Sequence, residues 1–451
     1  MNIFDIAIIG GGPAGYVAAE RAGAKGLKVV IFDKRALGGV CLNEGCIPTK
    51  TLLNSAKVME YAREAESYGI SVGIILADFE KIMKRKNKVV QKLVAGVAAK
   101  MKHAGAEVVK AAAVIKEKRG ETITITADGN DYQARRLLIC TGSEAAVPPI
   151  QGLNMAQVMT NREILQLKEL PESLVIIGGG VIGMEFADFF NSMGTKVTVI
   201  EMLPEILTGI DEDIAAFVRK EFTKRGIDFH LNAKVTAVND KAVIFEEDGH
   251  AGSVTGEQVL LSVGRKANVF GIGLENIGVE FTVRGIKIDS NCRTNIPNVY
   301  AAGDVTGFSL LAHTASREAE VAVNHIIGRK DVMRYDAIPG VVYTHPEIAG
   351  VGLTEASAKA KGIDVEVRRL PMAYAGRFVA ENEGKEGFCK VVAGKKYGEI
   401  RGIHMVGGTC SEMIWGACTL IEMQMRVKDV QEIVFPHPTV SEIIKETIFQ
   451  F

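Results

Sequence analysis

Short apolar runs that stop at glycine set the pattern of this chain, and the first of them comes back later. Asp5-Ile-Ala-Ile-Ile-Gly10-Gly-Gly12-Pro13-Ala14-Gly15 is matched by Ser173-Leu-Val-Ile-Ile-Gly178-Gly-Gly180-Val181-Ile182-Gly183, 168 residues on. Each copy predicts a buried strand, a tight turn and the start of a helix. A second apolar run follows each, Lys28-Val-Val-Ile-Phe-Asp33 and Lys196-Val-Thr-Val-Ile-Glu201, again 168 residues apart. Two equal βαβ units are therefore expected. A lone G-x-G-x-x-G is a weak signal in a glycine-rich chain, but here a strand precedes it, a helix follows it and an acid ends the next strand. Such glycines let the chain turn tightly and bring backbone N–H groups at a helix N-terminus against a pyrophosphate. Asp33 and Glu201 are each placed to accept hydrogen bonds from a ribose diol. A 2′-phosphate would face the Glu201 carboxylate, so the second site is expected to favour NAD over NADP.

Elsewhere the pattern predicts a helical stretch from about Ile47 to His103, whose charged segment Glu80 to Lys92 reads as a solvated face. Glu121-Thr-Ile-Thr-Ile-Thr126 alternates with period two, and Arg136-Leu-Leu-Ile-Cys-Thr141-Gly142 ends a strand. Pro148, Pro149 and Gly152 read as a linker. Val299-Tyr-Ala-Ala-Gly303-Asp304 is a buried-type strand running into a helix start, where the first domain is expected to resume. From about Tyr335 the strands and helices alternate differently, consistent with a third domain.

Composition narrows the function classes. Hydrophobic residues make up 47% and charged residues 24% of 451, which excludes disorder as a main theme. A net charge of -1 gives no reason to expect nucleic acid or a charged membrane surface as partner. Seven cysteines are too sparse for a disulfide-built secreted scaffold, and no leader or run of about 18 apolar residues is read. The expectation is a cytoplasmic protein with no membrane segment and no metal site.

Gly38-Gly39-Val40-Cys41-Leu42-Asn43-Glu44-Gly45-Cys46-Ile47-Pro48-Thr49-Lys50 carries the most chemistry. Cysteines five apart on a regular helix point about 140° away from each other, so they meet only if the turn is distorted. Gly45 could permit that distortion. Taken alone, the two cysteines could also be small buried hydrophobes, the lesser reading beside a cofactor-binding loop. Lys50, four residues after Cys46, shares its helical face, and its cation could stabilise a thiolate. Near the end of the chain, His437-Pro438-Thr439-Val440-Ser441-Glu442 pairs a base with a carboxylate that could orient it. By spacing alone this is also an ordinary surface pair.

These motifs together resemble the pyridine nucleotide-disulfide oxidoreductases over essentially the whole chain, and within them the branch that oxidises protein-bound dihydrolipoamide to lipoamide with reduction of NAD. The resemblance implies an α/β fold of two Rossmann-like dinucleotide-binding domains plus a C-terminal α+β dimerisation domain. An FAD-binding domain would span 1–145 and 265–334, an NAD-binding domain 146–264 and an interface domain 335–451. It implies that Gly10, Gly12, Pro13, Ala14, Gly15, Asp33, Lys34, Gly39, Lys50, Ala113, Thr141, Gly142, Ser143, Asp304, Leu310, Leu311, Ala312 and His313 serve FAD. Gly178, Gly180, Val181, Ile182, Gly183, Glu185, Glu201, Val235, Gly264 and Arg265 would complete the cofactor sites on the NAD side. Cys41 and Cys46 would form the redox-active disulfide, with Cys41 exchanging with substrate and Cys46 facing the flavin. Glu185 would pair with Lys50, and His437, oriented by Glu442, would act across a two-fold axis on the other subunit of a homodimer. His345 in Tyr343-Thr-His345-Pro346-Glu347 reads as structural. The implied partner is the lipoyl carrier domain or protein of a 2-oxo acid dehydrogenase or glycine cleavage complex. An NADPH-driven disulfide reductase shares the cysteines and the His-Glu pair, and Glu201 argues against it. Phe435 stands where the family commonly has a second histidine, Asp33 replaces a usual Glu, and Val40 a usual Thr.

Overall fold

The computed structural model describes residues 3–155, 157–240 and 242–451. The chain divides into two compact units. The first holds the residues up to Thr51 with Met83–Ala146 and Gly264–Arg334, and the second holds Leu52–Ile82, Val147–Val263 and Tyr335–Phe451.

In the first unit, five parallel strands lie in the order Val299–Ala301, Leu137–Ile139, Ile6–Ile9, Val29–Phe32 and Glu107–Val109. Ile6–Ile9 and Val29–Phe32 are buried at every position, as expected for strands of a sheet covered on both faces. Helix α1 (Pro13–Gly23) follows the first of them and lays Ala14, Ala18, Ala19 and Ala22 inward. The small side chains allow close approach, and the helix Ala312–Ile326 packs along it. A second, four-stranded layer is formed by Ile3–Phe4, Asn130–Ala134, Thr122–Ala127 and Ala113–Arg119. Its core joins Ile115, Ile123 and Ile125 to Phe32, Leu137 and Val299. Thr124 is buried as well, so the period-two alternation expected for this strand is broken at that position.

The cysteine segment forms α2 (Gly39–Glu44) and then α3 (Cys46–Glu64), which begins in the first unit and ends in the second. The continuous helix expected from Ile47 to His103 is interrupted. A 3₁₀ turn at Ala65–Tyr68 closes on Gly69 in the left-handed conformation (φ 74°), and helix resumes only at α4 (Phe79–His103). The intervening Ile70, Val72, Ile74 and Leu76 are exposed, so no core contact holds them helical. The charged face of α4 is mostly solvated, yet Lys86 is buried, one turn beyond Met83 on the stripe continued by Val97 and Met101. Burial pushes its ammonium down to about 8.

The second unit repeats the parallel sheet, in the order Val158–Met159, Gln258–Leu261, Ser173–Ile177, Lys196–Ile200 and Asp228–His230. Helices α5 (Val181–Met193) and α6 (Glu212–Lys224) belong to this layer. An antiparallel sheet, Gly340–Val342, Glu347–Gly352, Ile400–Gly407, Phe388–Gly394 and Val365–Pro371, follows in the same unit. Helices α7 (Cys410–Glu422) and α8 (Glu442–Ile448) pack on it through Ile414, Ala417, Ile443 and Ile448. Two Rossmann-like sheets and a C-terminal α+β portion are thus present.

Candidate active site

The two glycine loops have the same construction. Gly10 turns the chain at φ 109°, and a side chain there would meet the Cys140 carbonyl oxygen at 2.1 Å. Gly12 caps α1 without any side-chain hydrogen bond, so the helix opens with bare N–H groups. A Cβ on Gly15 would come within 1.8 Å of the Gly10 oxygen, which is why only glycine lets the helix sit so close to the strand. At 168 residues' remove, Gly178 has φ 104°, Gly180 caps α5 with no side-chain bond, and a Cβ on Gly183 would lie 2.2 Å from the Gly178 oxygen.

The acids are built in alike. Asp33 accepts the Gly11 N–H at 2.8 Å and the Arg35 N–H at 2.7 Å. Glu201 accepts the Gly179 N–H at 2.6 Å and the Leu203 N–H at 2.9 Å. A carboxylate has about four lone-pair sites, so each acid keeps capacity for a ribose diol. Open helix N-termini, a cradle that a Cβ would fill and an anchored acid at each strand end fit two dinucleotides.

Around the first loop, Lys34 is exposed beside Asp33, and Ala113 lies in the core of the four-stranded layer. Thr141 and Asn268 exchange hydrogen bonds, Oγ1 to carbonyl at 2.7 Å and Nδ2 to carbonyl at 2.9 Å. Ser143 donates to Asp304 while receiving Arg265 Nε at 2.7 Å, and Arg265 Nη2 donates to the Ser143 carbonyl at 2.7 Å. Gly142 and Gly264 both have positive φ with open space where a side chain would be. Leu310 is exposed, and Leu311 caps the helix that starts at Ala312 and carries His313, again with no side-chain bond at the cap. Val235 turns its side chain into the core of the second unit.

Cys41 lies on α2 and Cys46 opens α3, with the helix broken between them at Gly45. A Cβ on Gly45 would stand 3.2 Å from the Val40 oxygen. That break brings the two thiols into hydrogen-bonding contact. The hydrogen bond that the Cys41 thiol donates to Cys46, then burial and the charge of Cys46, push the Cys41 thiol well above its usual range, and the Lys50 cation opposes the rise. Tyr16 on α1 lies near enough that both cysteines, after burial, raise its phenol. Asn43 braces the turn by donating to the carbonyls of Leu37 (3.1 Å) and Gly39 (2.8 Å). Gly39 itself packs on the cofactor loop, since a Cβ there would meet Gly12 Cα at 2.6 Å.

In the second unit, His437 Nδ1 lies 3.0 and 3.2 Å from the two oxygens of Glu442, which also accepts the Thr439 N–H at 3.0 Å. The Thr439 N–H and then His437 hold the Glu442 carboxyl below the usual range. The His437 side chain is 77% exposed, and Nδ1 is the nitrogen that faces Glu442. Phe435 packs on the core of the antiparallel sheet. Glu185, one turn into α5, is buried and accepts the Tyr343 N–H at 3.1 Å, and Asp188 accepts the His345 N–H at 2.8 Å. Asp188 and its partners Arg225 and Glu60 were not singled out from sequence. The available signal was an acid three residues after Glu185, on the same helical face.

Residues 4–319 match the family of pyridine nucleotide-disulphide oxidoreductases and residues 338–448 match its dimerisation domain, so the chain belongs to that family. Among relatives, it is 38% identical over 451 residues to a dihydrolipoyl dehydrogenase of Bacillus subtilis, covering 98% of this chain and 95% of that protein. It is also 38% identical over 447 residues to a dihydrolipoyl dehydrogenase of Geobacillus stearothermophilus, with 97% and 94% covered. The crystal structure of LpdA from Mycobacterium tuberculosis superimposes with a TM-score of 0.92 at 26% identity, covering 99% of both chains. An HOCl-induced flavoprotein disulfide reductase, RclA from Escherichia coli, gives 0.86 at 26% identity and the same coverage. The chain is accordingly an oxidoreductase with FAD and NAD as cofactors, and it carries a dimerisation domain. Among the described residues, no helix is long and apolar enough to cross a membrane.

Proposed function

We propose that this protein oxidises dihydrolipoamide borne on a lipoyl carrier of a 2-oxo acid dehydrogenase or glycine cleavage complex and reduces NAD, working as a cytoplasmic homodimer. The observation that carries the reading is the contact of Cys41 with Cys46 at a helix break packed against a dinucleotide loop. In the oxidised enzyme the two form a disulfide. A substrate thiolate attacks Cys41 Sγ and releases Cys46 as a thiolate, and the second substrate sulfur then displaces Cys41, leaving an enzyme dithiol and a cyclic substrate disulfide. His437 of the other subunit takes the substrate's proton through Nε2, while Glu442 at Nδ1 holds the ring and supports its positive charge. Lys50 favours the thiolate form of the pair. FAD held at Gly10–Gly15 and Asp33, and NAD held at Gly178–Gly183 and Glu201, would supply the two-electron chemistry that reoxidises the dithiol. We assign FAD binding to 1–145 with 265–334, NAD binding to 146–264 and the interface to 335–451.

Trp415 at 72% exposure and Val434 at 92% leave an apolar face on the dimerisation domain, which supports its burial against a second copy. The direct test is turnover with dihydrolipoamide and with glutathione against both nucleotides. Dihydrolipoamide with NAD should be the fast pair, and NADH should exceed NADPH by roughly tenfold or more because Glu201 faces the 2′ position. Equal rates with NADPH, or activity with oxidised glutathione alone, would reject the reading.

A further inference from the structure

Glu185 and Asp188 lie one turn apart on α5, and their carboxylates take two N–H groups from one segment, Tyr343 at 3.1 Å and His345 at 2.8 Å. Behind Asp188 stands a cluster of charges. Its Oδ1 lies 2.7 Å from Arg225 Nη2, which also reaches Glu60 Oε1 at 2.5 Å and donates to Ser192 Oγ at 2.8 Å. Arg225 Nη1 donates to the His345 carbonyl at 2.8 Å, Ser192 Oγ donates to Glu60, and His345 Nε2 lies 3.7 Å from Glu60 Oε2. The segment that holds Glu185 is therefore gripped at His345 from both sides, by Asp188 at its N–H and by Arg225 at its carbonyl.

We propose that Asp188 is a positioning residue for Glu185, fixing α5 against the Tyr343–His345 segment through the Arg225–Glu60–His345 cluster. The proposal deepens the reading above, in which Glu185 stands on the helix whose N-terminus receives the NAD pyrophosphate.

The charge count says how the device responds to pH. Two carboxylates share one guanidinium in a nearly closed site, and burial lowers the basicity of His345, so the imidazole does not dependably supply the second positive charge. The other charged groups facing the cluster, Lys57 and Glu64 on α3 with Glu347 and Lys385, are engaged in pairs of their own, Lys57 with Glu347 and Lys385 with Glu64. One buried negative charge is left over, and a proton is the cheapest way to remove it. Burial pushes the Asp188 carboxyl up to about 7 against the pull of Arg225. A raised carboxyl contributes stability that is present in acid and lost as pH rises through about 7, so ionisation of Asp188 leaves the cluster with its surplus charge.

The test uses the FAD-loaded protein and NADH oxidation by ferricyanide, which needs no dithiol substrate, together with hydrogen exchange at Tyr343 and His345. Asp188→Ala should speed exchange at both amides, including the one bonded to Glu185, and lower kcat roughly tenfold while KM for NADH stays within about twofold. Asp188→Asn keeps an acceptor without the charge. It should retain most of the rate and lack the inflection near pH 7 that is expected of the wild type in kcat and in melting temperature. Unchanged protection at Tyr343 in Asp188→Ala would overturn the proposal, as would an inflection that survives in Asp188→Asn. The second variant decides the matter even if the first does not fold. Failure of dihydrolipoamide turnover in the wild type would instead count against the proposed function, leaving this assay readable.

Discussion

At the scale of single residues, the proposed mechanism divides the labour between the two cysteines, and colour can report it. Cys41→Ser and Cys46→Ser should both abolish dithiol oxidation. Long-wavelength absorbance, from charge transfer out of the Cys46 thiolate to the oxidised flavin, should persist in Cys41→Ser and vanish in Cys46→Ser. The reverse pattern would exchange their roles. His437→Gln should lower dihydrolipoamide turnover by about 10²- to 10⁴-fold, the usual worth of general acid–base catalysis, with FAD content normal and NADH–ferricyanide activity little changed. The thiols, the His-Glu pair and the ribose acids were all legible in the sequence because each sits inside a short motif. Asp188 was not, since its partners Glu60, Arg225 and His345 are scattered through the chain and only the fold assembles them.

At the scale of elements, the glycine loops were readable because strand, turn, helix and acid all lie within 29 residues, Asp5 to Asp33, and a second copy, Ser173 to Glu201, repeats the spacing. The repeat extends to hydrogen bonds: Gly11 to Asp33 and Arg35 to Asp33 in one, Gly179 to Glu201 and Leu203 to Glu201 in the other. Gly183→Ala should therefore raise KM for NADH roughly tenfold or more, since its Cβ would fall 2.2 Å from the Gly178 oxygen, while the protein stays yellow. Loss of FAD from that variant would show that the two loops have been assigned the wrong way round. What the pattern hid was the end of α3. Apolar residues continue through Ile70 to Leu76, yet in the fold they meet solvent, and periodicity alone does not distinguish an inward stripe from an outward one.

At the scale of the whole molecule, the His-Glu pair and the thiols lie in different units, and the proposal joins them across a dimer. Mixing His437→Gln chains with Cys41→Ser chains should return part of the activity, because one of the two sites in the mixed dimer then has every group intact. Subunit exchange shown by mass spectrometry with no return of activity would reject that arrangement. The two nucleotide cradles, alike in hydrogen bonding, also differ in how they are walled. The first loop is covered by the cysteine segment, where a Cβ on Gly39 would meet Gly12 Cα at 2.6 Å and the Gly38 N–H reaches the Gly11 carbonyl at 2.7 Å; the second is covered by Ile206 and Leu207, whose N–H reaches the Gly179 carbonyl at 2.9 Å. Only the first loop thus shares a wall with the thiols: a side chain at Gly39 would pry the cysteine turn away from Gly12, so one glycine keeps that loop and the redox pair in register.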